Sequence, residues 1–157
     1  MKLKHLALFA LLLVMAGCSV PSKQLSIFFF KEDKLVAVAR ELPTVEDPVS
    51  VAIDQLLMGP SDTETSQGIM TEIPNGTRAI DVRVIGDTAM INFNGRLAEY
   101  GGGTSKVRGI LAQIVYTATG VKGVKKVILK LEGNDQFTLG SEGFTVDHPL
   151  ERDDVKF

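Results

Sequence analysis

The sequence predicts an α+β fold: a single compact domain in which a mostly antiparallel sheet carries two helices packed on one face. Three observations lead there. Two period-two segments, residues 80–84 and 89–93, flank a Gly86-Asp87 pair. Two stretches with apolar residues at helical spacing, 48–57 and 104–118, are bounded by start and stop signals. Short aliphatic or aromatic runs, 25–30 and 124–131, stand at either end of the series.

In chain order, Lys2 and Lys4 form a basic start, residues 6–14 an apolar run, and Ala16-Gly17 a small-residue step before Cys18, the one cysteine of the 157 residues. The run is too short to span a bilayer, which takes about 20 apolar residues, and polar Ser19, Pro21, Ser22 and Lys23 follow it. The pattern resembles the bacterial lipoprotein signal, with Met15 where leucine is commonest. That resemblance implies removal of residues 1–17 as a signal peptide and acylation of the Cys18 thiol, with 18–23 as the lipidated cysteine and a short linker. Several acyl chains, at about 0.8 kcal/mol per buried methylene, hold a protein on a membrane without a second signal. In the alternative, Cys18 is an incidental small apolar residue of an ordinary cleaved signal peptide. Ser19 is not the aspartate that retains such proteins at the inner membrane of enteric bacteria, which favours the outer membrane where there is one.

The segment 1–17 holds Lys2 and Lys4 and no acid, so 15 of the 17 basic residues remain against 19 acidic ones. A mildly acidic domain of that size gives no reason to expect nucleic acid or an anionic lipid surface as a partner. With Cys18 occupied by lipid no disulfide is available, and burial alone has to stabilise the domain.

Residues 25–30, Leu-Ser-Ile-Phe-Phe-Phe, read as a buried strand. A polar turn at 31–34 returns the chain into a second apolar stretch, 35–40, which makes a hairpin. Asp47-Pro48 starts the first helix, because the carboxylate accepts free amide hydrogens and proline suits the first position. Val49, Ala52, Ile53, Leu56 and Leu57 form its apolar face, and Gly59-Pro60 stops it. Residues 61–77 read as a loop with at most a short helical turn, closing in the tight turn Pro74-Asn75-Gly76. After the 80–84/89–93 hairpin, Thr104 or Ser105 caps a second helix with Val107, Ile110, Leu111, Ile114, Val115 and Ala118 on one face and Gly120 at its end. A strand at 124–131 follows, and beyond Gly133 there is at most a weak strand near Phe137 or Phe144.

Groups able to do chemistry are sparse. Gly101-Gly102-Gly103 before a helix suggests an anion cradle, but Lys106 follows Thr104-Ser105 instead of preceding them, so a flexible lead-in is the better reading. Glu132, Asp135 and Glu142 are imaginable as an acid/base pair or calcium ligands but match no calcium-loop spacing. The histidines are His5, inside the signal, and His148, with no clustered ligands for zinc. No serine sits in a Gly-x-Ser-x-Gly elbow. The residues assign no catalytic, cofactor or metal site and leave Cys18 as the one position with a definite chemical role.

Several fragments together carry a family resemblance: Ile27 with the phenylalanines that follow and Leu35-Val36-Ala37-Val38-Ala39-Arg40; Ala52-Ile53-Asp54-Gln55-Leu56-Leu57-Met58-Gly59-Pro60; Ile73-Pro74-Asn75-Gly76-Thr77; Ala89-Met90-Ile91-Asn92-Phe93; and Val127-Ile128-Leu129-Lys130-Leu131-Glu132-Gly133. In that order they resemble the GerMN domain of sporulation and germination proteins, over about residues 24–152, with 153–157 as a tail. The resemblance implies a non-catalytic envelope module with no cofactor, similar in fold to ring-building modules of envelope assemblies. The expected function is a membrane-anchored lipoprotein acting in envelope assembly, sporulation or germination by binding a protein partner or peptidoglycan, through a sheet edge or an exposed helix. Two other readings stay open: an envelope hydrolase or small-ligand binder using Glu132, Asp135 and the glycine loop, and a subunit of a homo-oligomeric ring.

Overall fold

The computed structural model describes residues 22–43, 47–99, 102–140 and 144–156. β1 (Ser22–Lys31) and β2 (Lys34–Pro43) form an antiparallel hairpin paired from Ser22 opposite Pro43 to Lys31 opposite Lys34. Its turn residues Glu32 and Asp33 both take positive φ, the backbone that a two-residue hairpin loop needs. α1 (Pro48–Leu57) begins at the Asp47-Pro48 signal, where Asp47 Oδ1 accepts the Ser50 N–H at 3.0 Å. It buries Val49, Ala52, Ile53 and Leu56.

The stretch expected as a loop holds more structure than its polarity suggests. α2 (Asp62–Ser66) is closed by a Ser61/Glu64 capping box, and β3 (Ile69–Met70) pairs with the end of β1. β4 (Ala79–Ile85) and β5 (Thr88–Phe93) make the hairpin across Gly86-Asp87, with a register shift between Ala79 and Asp81. A 3-10 turn, Gly95–Ala98, buries Leu97. α3 (Thr104–Thr119) leads into β6 (Lys126–Leu131), which lies parallel to β5. β7 (Phe137–Leu139) and β8 (Phe144–Val146) pair with each other, so both weak strand signals are strands. Across the boundary expected between the domain and its tail, 152/153, a 3-10 turn (Arg152–Val155) buries Val155 to 1% exposure.

The fold is α+β with mostly antiparallel pairing. The strands divide into β2-β1-β3, β4-β5-β6 and β7-β8. β5 and β6 are parallel because a helix connects them; a crossover of that length brings the chain back to the same end of the sheet. The core joins Leu25, Ile27 and Phe29 of β1, Ala89, Ile91 and Phe93 of β5, Val127 and Leu129 of β6, and the buried stripes of both long helices. α3 is buried on more than its apolar face, since Gly109, Ala112, Gln113 and Thr117 are buried as well.

Candidate interaction surface

The residues that bear functional expectations do not converge. Cys18, Gly101 and Glu142 lie outside the described residues. Gly103, and neither Thr104 nor Ser105, caps α3; the helix begins one residue earlier than its hydroxyls suggest, and its cap has no side chain to contribute. Gly102 has φ of 135°, and a Cβ there would lie 2.9 Å from Lys106 Cδ. The depression in front is lined by Asp33, Glu72 and Lys106, and Lys106 Nζ lies 3.6 Å from a Glu72 carboxylate oxygen. Two carboxylates around one compensated amine make a poor place for an anion.

Glu132 is spent on the fold. Its Oε1 accepts the Gly95 N–H at 2.6 Å and its own N–H donates to Phe93 O, tying the end of β6 to the 3-10 turn at 95–98. Asp135 lines a separate shallow depression with Asp147 and His148, whose Nδ1 lies 2.9 Å from Asp147 Oδ1 with both side chains more than half exposed. Among the described residues no three potential metal ligands cluster.

Two polar groupings that the sequence reading passed over hold the elements in place. The first fills in for a strand. β3 pairs with β1 only at Phe30 and Lys31, so farther along that edge α3 supplies the partners. The Phe28 N–H donates to Thr117 Oγ1 at 3.0 Å, and Gln113 Nε2 donates to Phe28 O at 3.1 Å while its Oε1 accepts the Glu72 N–H at 2.7 Å. Both side chains are fully buried, which is tolerable because their polar atoms are satisfied. The second grouping centres on Arg40 of β2, which donates to Gln55 Oε1, Gly59 O and Glu64 Oε2 at 2.8, 3.1 and 2.7 Å. Burial alone would raise the Glu64 carboxyl, but the Ser61 N–H, the charge and hydrogen bond of Arg40 and the Ser61 hydroxyl outweigh it and hold the group below its ordinary value.

Exposed large apolar side chains concentrate beside α1 and β4. Ile80, Val84 and Ile85 of β4 are 55%, 44% and 65% exposed, and Met58, just past α1, is 74% exposed. β4 is the outer strand of its sheet, with β5 as its one strand neighbour among the described residues. It runs beside α1 in the opposite direction: Val84 shares a depression with Pro48 and Val49 at the start of the helix, and Ala79 shares another with Leu57 and Met58 at its end. The register shift at Ile80 and the Asp81–Arg83 ion pair at 2.8 Å break up part of this edge, as proteins commonly do to discourage unwanted pairing. Residues 82–85 remain in unbroken register with β5. β2, also an outer strand, exposes Lys34, Ala37, Ala39 and Glu41, which are small or charged. The β4 edge is therefore the better place for an apolar partner.

The Germane family, described as sporulation and spore germination, matches residues 26–137. Among solved structures, the tandem GerMN domains of the sporulation protein GerM from Bacillus subtilis are similar with a TM-score of 0.63 and 21% identity, over 83% of this chain and 45% of that one. This chain thus spans less than half the length of that structure. The first GerMN domain of the same protein is similar with a TM-score of 0.63 and 18% identity, over 83% and 98% of the two chains. A candidate lipoprotein from Clostridium perfringens is similar with a TM-score of 0.59 and 17% identity, over 87% and 91%. At these identities the likeness is one of fold. Comparison with curated proteins gave no match. Among the described residues no helix is long and apolar enough to cross a membrane.

Proposed function

The chain belongs to the Germane family of sporulation and spore germination domains, and from that premise we propose that it is a lipoprotein whose GerMN-type module does no chemistry and works by docking. Lipid on Cys18 holds the module at the extracytoplasmic face of the cell membrane, in the periplasm where an outer membrane exists. There it takes part in sporulation, germination or a related step of envelope assembly. The candidate lipoprotein among its structural relatives supports the anchor, and the sporulation protein GerM supports the process.

The observation behind the docking role is the outer strand β4, which has β5 as its one strand neighbour among the described residues and leaves Ile80, Val84 and Ile85 exposed. An extended protein segment laid along residues 82–85 would gain main-chain hydrogen bonds from the side of β4 that no described strand pairs, and apolar contact from Val84. A fully buried Val contributes about 1.5–3 kcal/mol, so the half-covered Val84 side chain adds on the order of 1 kcal/mol. Such a contact is weak between freely diffusing molecules. Confinement of both partners to one membrane raises their effective concentration and makes it sufficient.

A photoreactive residue at position 82 or 84 of the full chain, irradiated in membranes of the cells that make it, tests the reading. Both positions should attach to one peptide of a single protein at residues two apart, the spacing of a paired strand, and Val84→Lys should weaken the attachment made from position 82. Attachment to peptidoglycan fragments, or at residues without that spacing, would overturn strand addition.

A further inference from the structure

The ends of the elements define which pole of the domain faces a membrane. β1 and α3 run in opposite directions, because Phe28 is bonded to Gln113 and Thr117, and Gly120, farther along α3, packs where a Cβ would lie 3.4 Å from Ser26 O. The first residue of β1 and the end of α3 therefore share a pole. Pro43, opposite Ser22, belongs to it too. The start of α1 joins it through a depression of about 360 Å³ that Asp47 and Pro48 share with Val84, Gly86, Lys122 and Val124. The same pole thus gathers the β4–β5 turn and the loop from α3 to β6. At the opposite pole are the β1–β2 turn and the start of α3, where Asp33 and Ser105 line one depression.

Only residues 19–21 separate Cys18 from Ser22, where β1 begins. Even fully extended, four residue steps span at most about 14 Å. A headgroup layer is itself about 5–7 Å deep, so an acylated Cys18 keeps the start of β1, and with it this pole, within about 10 Å of the bilayer surface.

We propose, resting on the lipid anchor above, that this pole is a membrane-contacting surface whose ligand is the phospholipid headgroup layer. Ile85 is its apolar point: it sits at the tip of the β4–β5 hairpin next to Gly86 and is 65% exposed. Around it the charges are mixed. Lys122 and Asp47 are exposed, and Lys125 lies 3.8 Å from Asp87. Contact is therefore set by the tether and by insertion of Ile85, and zwitterionic lipid suffices. In this pose β4 runs along the membrane normal with Ile80 farther out, and its free edge faces sideways, toward partners held in the same membrane.

The sequence contains no tryptophan, so one introduced indole reports position cleanly. The full chain carrying Ile85→Trp, or Lys34→Trp at the β1–β2 turn on the opposite pole, is extracted from membranes with its lipid. It is then reconstituted in phosphatidylcholine vesicles with nitroxide on the headgroups. The Ile85→Trp protein should be quenched at least about twofold more strongly than the Lys34→Trp protein, with a blue-shifted emission. Equal quenching, or stronger quenching of the Lys34→Trp protein, overturns the orientation. Mass spectrometry beforehand separates the two ideas. If Cys18 carries no acyl group, the anchor reading has failed, and a maleimide lipid coupled to the Cys18 thiol still puts the orientation to the same quenching test, with the same results supporting or overturning it.

Discussion

At the scale of single residues, Thr117 and Gln113 are two of the three buried polar side chains among the described residues. Each occupies a fully buried place on α3 and satisfies a main-chain group of Phe28 that no strand reaches. A hydropathy reading of α3 sees only its apolar face, because a polar side chain inside a helix looks like a solvated one until its partner is known. Thr117→Val keeps the shape and removes the acceptor, leaving the Phe28 N–H buried without a partner. The expected cost is about 1–3 kcal/mol, read as a lower denaturant midpoint at unchanged slope. Thr117→Ser should recover most of it. Equal midpoints for the Val variant and the parent would show that the hydroxyl contributes nothing.

At the scale of elements, what was legible had local causes. The Asp47-Pro48 start of α1 and the two hairpins follow from capping and alternation within a few residues. β3 was not legible because two residues carry no period, and the parallel β5–β6 pairing was not because it depends on where α3 returns the chain. The Arg40 grouping likewise joins β2, α1 and the capping box of α2 across sequence gaps that no motif spans. Because the native Glu64 carboxyl lies below its ordinary value of 4.5, the unfolded chain binds the proton more readily than the folded one. Its contribution is therefore complete above the unfolded value and fades as pH falls through the lowered native one. The stability gap between the parent and Glu64→Gln should stay level from about pH 8 to pH 5.5 and narrow below about pH 4. A gap unchanged down to pH 3 would contradict the assignment.

At the scale of the whole molecule, the candidate site was only partly legible. The alternation of residues 80–84 marked a strand, and its place at the outside of a sheet is a property of topology. The carboxylates that looked available, Glu132 and Asp135, are separated by the fold into a structural bond and a shallow exposed depression. In the proposed function the module works through its position and the β4 edge, and the position rests on lipid at Cys18. The most direct measurement is the intact mass of the protein recovered from membranes. A chain that begins at Cys18 and carries added acyl mass on that residue, shifting to the soluble fraction when Cys18→Ser is introduced, is the expected result. A chain cleaved elsewhere without acyl mass, or one that stays on the membrane equally well with Cys18→Ser, would contradict the anchored docking role.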